Sequence, residues 1–128
     1  MKLLLDTHTF IWWDSNPQKP SKTALTLLSD SNNYLFLSLV SVWEMQIKIQ
    51  LDKLQVRTDL GTLIEDQLSE NDLELLNVDL SHILTLSQLE NHHRDPFDRL
   101  LIAQARMEKM TLISCDPIFQ DYDCPIIW

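Results

Sequence analysis

Two aspartates stand three residues apart in the segment RDPFDRLLIAQ, residues 94–104, where a helix is expected to begin. Asp95 followed by proline is typical of a helix start, with the aspartate as N-cap and the proline at the first helical position. Asp98 then lies in the first turn, where the helix dipole stabilises a negative charge. Two neighbouring carboxylates are also suited to a divalent cation. The other acids of the chain bear on the choice between capping and metal binding.

Three further acids, Asp6, Glu44 and Asp116, each follow an apolar segment typical of a buried strand. Since the carboxyl ends of parallel strands meet at one edge of a sheet, we expect these acids to lie there together with the aspartate pair. Carboxylates brought close together raise each other's pKa unless a cation neutralises them. An all-oxygen set without cysteine or histidine suits a hard ion such as Mg²⁺ or Mn²⁺.

Each of these acids also has a purely structural explanation. Ser41 and Glu44 match the S-x-x-E capping box, in which the glutamate bonds back to the serine amide. Asp116 precedes a proline and is compatible with a turn. Asp6 has the weakest structural explanation, because an aspartate at the end of a strand satisfies no helix unless it caps the next segment. Jointly, the structural explanations require several caps to meet at one sheet edge by coincidence.

Short apolar segments alternate with helical segments along the whole chain. The predicted strands are residues 2–5, 34–40, 73–78, 111–115 and 125–128. The predicted helices are residues 7–13, 21–28, 41–50, 58–69, 82–89 and 96–110. The strands are nearly continuous apolar runs, as in a parallel sheet that is covered on both faces. We predict one α/β domain over residues 1–128, with three α/β/α layers and a central, mainly parallel sheet.

The composition narrows the possible functions. Gly61 is the only glycine in the 128 residues, which excludes the glycine-rich phosphate loops. The net charge of -9 disfavours nucleic acid binding unless the acids surround a cation. Cys115 and Cys124 match neither a CxxC motif nor a zinc quartet, so we expect reduced thiols in a cytoplasmic protein. No apolar run approaches the ~20 residues of a membrane span.

Four segments of the chain resemble the PIN-domain ribonucleases, in particular the VapC-type toxins of bacterial toxin–antitoxin pairs. The segments are LLLDTHTFIWW (3–13), SLVSVWEMQIK (38–48), HHRDPFDRLLIAQA (92–105) and LISCDPIFQDY (112–122). Their order and spacing match from end to end. The resemblance implies a PIN-like fold and a metal-dependent endoribonuclease that hydrolyses RNA phosphodiester bonds, tRNA among the possible substrates.

The resemblance also implies roles for individual residues. The family's acidic quartet, with catalytic and metal-binding roles, corresponds here to Asp6, Glu44, Asp98 and Asp116. Asp95 belongs to the DPFDR form of the motif, either as a further ligand or only as the N-cap. Thr7 is the small polar residue after the first acid, placed to bind a metal water or the substrate phosphate.

Substrate and partner contacts have weaker signals in the sequence. The candidate RNA-contacting cations are Lys48, Lys53, Arg94 and Arg99, although for any one of them a solvated surface charge is the commoner explanation. His92 and His93 can also reach substrate. Tryptophans stack on bases but more often pack in cores or interfaces. We take Trp12 and Trp13 as candidates for a dimer or antitoxin contact. The resemblance implies a homodimer and a VapB-type antitoxin that covers the active site.

Two other classes of function remain open. One is a catalytically silent PIN-like binding module, which the loss of a quartet acid would support, although all four acids are present. The other is a Mg²⁺-dependent nuclease or phosphatase that acts on another phosphoester. A haloacid-type phosphatase requires a D-x-D motif, and the run Asp6-Thr7-His8 lacks the second aspartate. A receiver domain requires a late lysine after a strand, and no lysine follows Lys109.

Overall fold

The computed structural model describes all residues from 1 to 128, which form five strands and six α-helices. The strands are β1 (Lys2–Leu5), β2 (Tyr34–Ser38), β3 (Glu74–Leu76), β4 (Thr111–Ile113) and β5 (Ile126–Ile127). The helices are α1 (Thr7–Ser15), α2 (Lys22–Ser29), α3 (Leu39–Gln50), α4 (Leu60–Glu70), α5 (Leu80–Thr85) and α6 (Pro96–Met107). Short 3₁₀ helices span Leu86–Gln88 and Pro117–Asp121. No helix is both long and apolar enough to cross a membrane.

All five strands are parallel, and they lie in the order β3-β2-β1-β4-β5. The central strand is β1, where Leu4 lies opposite Phe36 of β2 on one side and Leu112 of β4 on the other. The chain runs outward from β1 to β3 and then returns to add β4 and β5 on the opposite side. The carboxyl ends of β1 and β4 therefore flank a topological switch point, where open α/β sheets form their sites.

The sheet is covered on both faces, which confirms the predicted three-layer α/β fold. Leu3 and Leu5 are fully buried in one core, which is shared with α1, α2 and α4. Leu4 points to the opposite face and is fully buried in a second core, formed largely by α6. Because successive strand residues alternate between faces, only an uninterrupted apolar run can bury both sides of β1. Each such leucine contributes about 1.5–3 kcal/mol by leaving water.

The boundary between β2 and α3 lies earlier than the sequence predicts. The helix begins at Leu39, and the N-cap is Ser38, whose Oγ accepts a hydrogen bond from the Val40 amide at 3.1 Å. The predicted capping box is therefore wrong, since Ser41 is already inside the helix and Glu44 lies in its second turn. Apolar residues continue from the strand into the buried start of the helix, so the hydrophobic run does not show where one element ends.

Candidate metal centre

Asp6 closes β1 and opens α1 as its N-cap. One carboxylate oxygen, Oδ1, accepts a hydrogen bond from the Thr9 amide at 2.7 Å. The other, Oδ2, accepts a hydrogen bond from the hydroxyl of Ser114, which follows β4. Asp6 is only 5% exposed, and burial raises its pKa against the opposing effect of these hydrogen bonds. The capping role that the sequence left open for Asp6 is thus real, and the same contacts hold its carboxylate at the switch point.

Glu44 reaches the same place from the second turn of α3 and is 7% exposed. Its Oε1 lies 2.7 Å from the hydroxyl oxygen of Thr7, and its Oε2 lies 2.8 Å from Nζ of Lys48. The Thr7 hydroxyl is also 3.0 Å from Oγ of Ser41. Thr7 and Ser41 are both buried, so these contacts fix the glutamate side chain from two helices.

Asp95 is the N-cap of α6, as its sequence context predicts. Its Oδ1 accepts hydrogen bonds from the amides of Phe97 at 2.9 Å and Asp98 at 3.1 Å. Asp98 is in the first helical turn, where its Oδ2 lies 3.3 Å from Nε2 of His93. The capping oxygen of Asp95 is committed to the helix, so only its Oδ2 remains for any other partner.

Asp116 follows β4 and caps the 3₁₀ helix Pro117–Asp121, with its Oδ1 accepting a hydrogen bond from the Ile118 amide at 3.1 Å. Its own amide donates to Oγ of Ser114 at 3.1 Å. Ser114 therefore contacts both acids at the carboxyl ends of β1 and β4. The sequence analysis did not identify this serine. Its position could have pointed to it, because it is a small polar residue directly after a strand and two residues before Asp116.

The electrostatics of Asp98 indicate that these acids lie close to one another. Its pKa is raised to about 7, first by burial and then by the negative charges of Asp95, Glu44, Asp116 and Asp6. Such repulsion falls with distance, so it acts only between carboxylates that lie near one another. A cluster of carboxylates that offers only oxygen donors fits a hard divalent cation such as Mg²⁺ or Mn²⁺.

The candidate substrate-binding cations differ in their surroundings. Arg94 is exposed, and its side chain makes no ion pair. Lys48 pairs with Glu44 at 2.8 Å and is part of the acidic site. Arg99 is half-buried and donates to the Glu90 carbonyl at 2.7 Å and to the Tyr122 hydroxyl at 3.1 Å. The structure thus commits Arg99 to protein contacts and leaves Arg94 open to solvent beside the Asp95 cap.

The tryptophans lie in distinct environments. Trp12 is half-buried, with its ring 5.9 Å from Trp128 and the Lys19 ammonium 5.7 Å from its centroid. Trp13 packs against the core on the α1 side of the sheet. Trp43 is 61% exposed and lies edge-on to Phe97 at 5.2 Å. Trp43 and Phe97 neighbour two of the clustered acids in sequence.

A second group of candidate ligands, Asp79, His82 and Glu108, was not anticipated from the sequence. Their ligand atoms lie within 4.8 Å of one another. His82 is completely buried; its Nδ1 accepts from the Asp79 amide at 3.0 Å, and its Nε2 lies 2.9 Å from Glu108 Oε1. Both ring nitrogens are therefore already satisfied, Nδ1 by the capping box of α5 and Nε2 by a hydrogen bond to Glu108 at the end of α6. These contacts explain the group without a metal.

The PIN domain family model matches residues 3–124 of the chain. No curated protein matches it. The VapBC2 structure from Rickettsia felis, bound to a promoter DNA fragment, has 18% identity and a TM-score of 0.75, covering 99% of this chain and 98% of that chain. DNA-bound VapBC from Salmonella typhimurium has 18% identity and a TM-score of 0.73, and the match covers 99% of this chain and 97% of that chain. VapBC-1 from nontypeable Haemophilus influenzae has 19% identity and a TM-score of 0.71, and the match covers 99% of this chain and 97% of that chain.

Proposed function

Since this chain belongs to the PIN domain family, we propose that it is a metal-dependent endoribonuclease and the toxin of a VapBC-type toxin–antitoxin pair. The observation that supports this most directly is the group of acids at the switch point, where burial first and then the neighbouring negative charges raise the pKa of Asp98 to about 7. A fold that gathers unneutralised carboxylates loses stability by doing so. Binding a divalent cation offsets that cost, and the bound cation can then assist the hydrolysis of RNA.

The donors that would hold Mg²⁺ or Mn²⁺ are the carboxylates of Asp6, Glu44, Asp98 and Asp116, with Oδ2 of Asp95 as a further candidate. When bound, the ion lowers the pKa of a water and stabilises negative charge on the phosphate oxygens. Mg²⁺ keeps several waters of its own, so these acids need not all contact it directly.

The chain's own residues supply orientation and proton transfer. Thr9 and Ser114 hold both oxygens of Asp6, and Thr7 with Lys48 holds both oxygens of Glu44. In the proposed hydrolysis, a water oxygen attacks phosphorus and the bond from phosphorus to the leaving ribose oxygen breaks. A carboxylate of the site accepts the proton of the attacking water.

RNA must approach a protein whose net charge is -9. Binding therefore depends on neutralising the acidic centre and on a small number of exposed cations, of which Arg94 is the nearest to the site in sequence. The Thr7 hydroxyl donates its one hydrogen to Glu44 Oε1 at 2.7 Å, and its oxygen can still accept a hydrogen bond from a metal-bound water. We propose RNA, tRNA included, as the substrate, and expect that its binding strengthens as the divalent ion concentration rises.

The proposed partner is a VapB-type antitoxin, which the VapBC complexes among the structural neighbours support. An acidic toxin is suited to an antitoxin segment with basic residues, because the segment can then neutralise the site that RNA would otherwise occupy. We also propose a homodimer and a cytoplasmic location. The two cysteines, Cys115 and Cys124, are free thiols, which is compatible with a reducing compartment.

The test is cleavage of a labelled RNA panel, tRNA included, with Mg²⁺, Mn²⁺ or EDTA. Wild-type protein runs beside Asp6→Asn, Asp98→Asn and the control Glu65→Gln, which changes an exposed acid on α4. We expect cleavage that requires metal, disappears in both aspartate variants and persists in the control. Folded protein that binds RNA but does not cleave any member of the panel would favour the silent binding module. Cleavage of DNA or of a phosphomonoester instead would favour the other phosphoesterase.

A further inference from the structure

We propose that His93 holds the Asp98 carboxylate in its ion-binding orientation and is itself held by Tyr122. The role rests on the proposed function, because it presumes that Asp98 is a metal ligand. His93 is thus a positioning residue, and its imidazole is not required to touch the ion or the RNA.

The two ring nitrogens of His93 bond to different groups. Nε2 lies 3.3 Å from Oδ2 of Asp98, and Nδ1 lies 2.8 Å from the hydroxyl oxygen of Tyr122. An ionised carboxylate only accepts hydrogen bonds, so Nε2 carries the proton and donates. Nδ1 is then an acceptor and takes its hydrogen bond from the Tyr122 hydroxyl. One tautomer satisfies both contacts.

The chain of hydrogen bonds continues beyond Tyr122 in the same direction. Nη1 of Arg99 donates to the Tyr122 hydroxyl at 3.1 Å and to the Glu90 carbonyl at 2.7 Å. Arg99 therefore donates to Tyr122, Tyr122 donates to His93, and His93 donates to the carboxylate. Hydrogen bonds that run in one direction polarise one another, and a partly dehydrated setting strengthens them.

Packing restricts the same groups. The Tyr122 side chain is buried, at 4% exposure, in the core on the α6 side of the sheet. The rings of His92 and His93 lie at 4.8 and 5.5 Å from its centroid, with their planes steeply inclined to the tyrosine ring. His93 is thereby held between a buried aromatic ring and the acid. Its bond to Oδ2 leaves Oδ1 of Asp98 as the oxygen that is free to bind an ion.

Partners of this kind around a metal site commonly account for 10–100-fold in metal affinity or activity, because they fix the orientation of the ligand. The expected effect of His93 is on metal affinity rather than on RNA affinity. An imidazole that contacted RNA directly would instead raise the KM for RNA at saturating metal.

The experiment is calorimetric titration of the purified full-length protein with Mn²⁺, together with cleavage at increasing Mg²⁺ concentration. We expect His93→Ala to weaken Mn²⁺ binding by about 10–100-fold. His93→Gln should recover much of that loss, because its amide nitrogen can take the place of Nε2. Tyr122→Phe should weaken binding to a smaller extent. In His93→Ala, cleavage should recover at high Mg²⁺ with the KM for RNA unchanged.

His92→Ala is the matched control for Mn²⁺ affinity, since His92 contacts the Tyr122 ring but not Asp98. Unchanged Mn²⁺ affinity in folded His93→Ala, or equal loss in His93→Gln, would overturn the positioning role. If His93→Ala fails to fold, Tyr122→Phe and His93→Gln decide the matter by the same titration. Asp98→Asn separates the two hypotheses: if wild type binds Mn²⁺ and Asp98→Asn does not, the metal site stands whatever His93 does. Absence of binding in the wild type would overturn both.

Discussion

Ser114 donates its buried hydroxyl to Oδ2 of Asp6, across 108 residues of sequence and two adjacent strands. Oγ of Ser114 in turn accepts a hydrogen bond from the Asp116 amide at 3.1 Å. Replacing Ser114 by alanine leaves a buried carboxylate oxygen and an amide without this partner. We expect Ser114→Ala to lower the free energy of unfolding by about 1–3 kcal/mol and to weaken metal-dependent cleavage. Urea unfolding and cleavage rates measure the two effects. Ser69→Ala removes an exposed hydroxyl and should leave both nearly unchanged.

Thr7 provides a second test of how the acids are held. Its hydroxyl is 2.7 Å from Glu44 Oε1, and valine has nearly the same shape without the donor. We expect Thr7→Val to reduce metal affinity or cleavage by about 10–100-fold, while Thr7→Ser retains most of both. Equal activity of the valine and wild-type proteins over a range of Mg²⁺ concentrations would show that the hydroxyl has no role at the site.

The raised pKa of Asp98 makes metal-free stability depend on pH. The folded pKa is about 7 and the ordinary value is 3.8, so the folded state binds a proton more tightly than the unfolded state. This contribution to stability is fully present below about pH 4 and is lost as pH rises through 7. In EDTA, we therefore expect this group to lower the free energy of unfolding by about 2–3 kcal/mol between pH 5 and 8.

The pH effect is measured as the difference between wild type and Asp98→Asn in denaturant unfolding, so that the titration of other groups cancels. In Asp98→Asn, the free energy of unfolding should depend less on pH. The metal-free variant should also be more stable than wild type at pH 8. Mg²⁺ should flatten the wild-type slope as well, since a cation favours the ionised carboxylate. Parallel pH curves for the two proteins would contradict the raised pKa.

His82 tests whether the second group of candidate ligands is structural. The side chain is fully buried between the Asp79 amide and the Glu108 carboxylate. We expect His82→Ala to lower the free energy of unfolding by about 2–3 kcal/mol and to leave the Mn²⁺ stoichiometry and affinity unchanged. Loss of a Mn²⁺ equivalent in this variant would instead identify Asp79, His82 and Glu108 as a metal site.

Much of the fold follows from local patterns. The apolar run of β1 and the Asp95-Pro96 start of α6 lie where the sequence places them, since both are determined by neighbouring residues. The end of β2 could not be located in the same way. Residues 35–42 are apolar apart from two serines, and Ser38 rather than Ser41 caps the helix because its hydroxyl also donates to Gln104 of α6 at 2.6 Å.

The sequence by itself indicated which acids can form a site, because Asp6 and Asp116 follow apolar strands and Asp98 lies at a helix start, while Glu44 lies within the helix after β2. Only the tertiary structure decided what surrounds them. Asp6 meets Ser114, Glu44 meets Thr7, and His93 meets Tyr122 because the parallel order of the strands brings distant segments to one edge. Hydrogen-bond partners and pKa shifts depend on burial and on separations in space, and a residue's neighbours along the chain do not determine either.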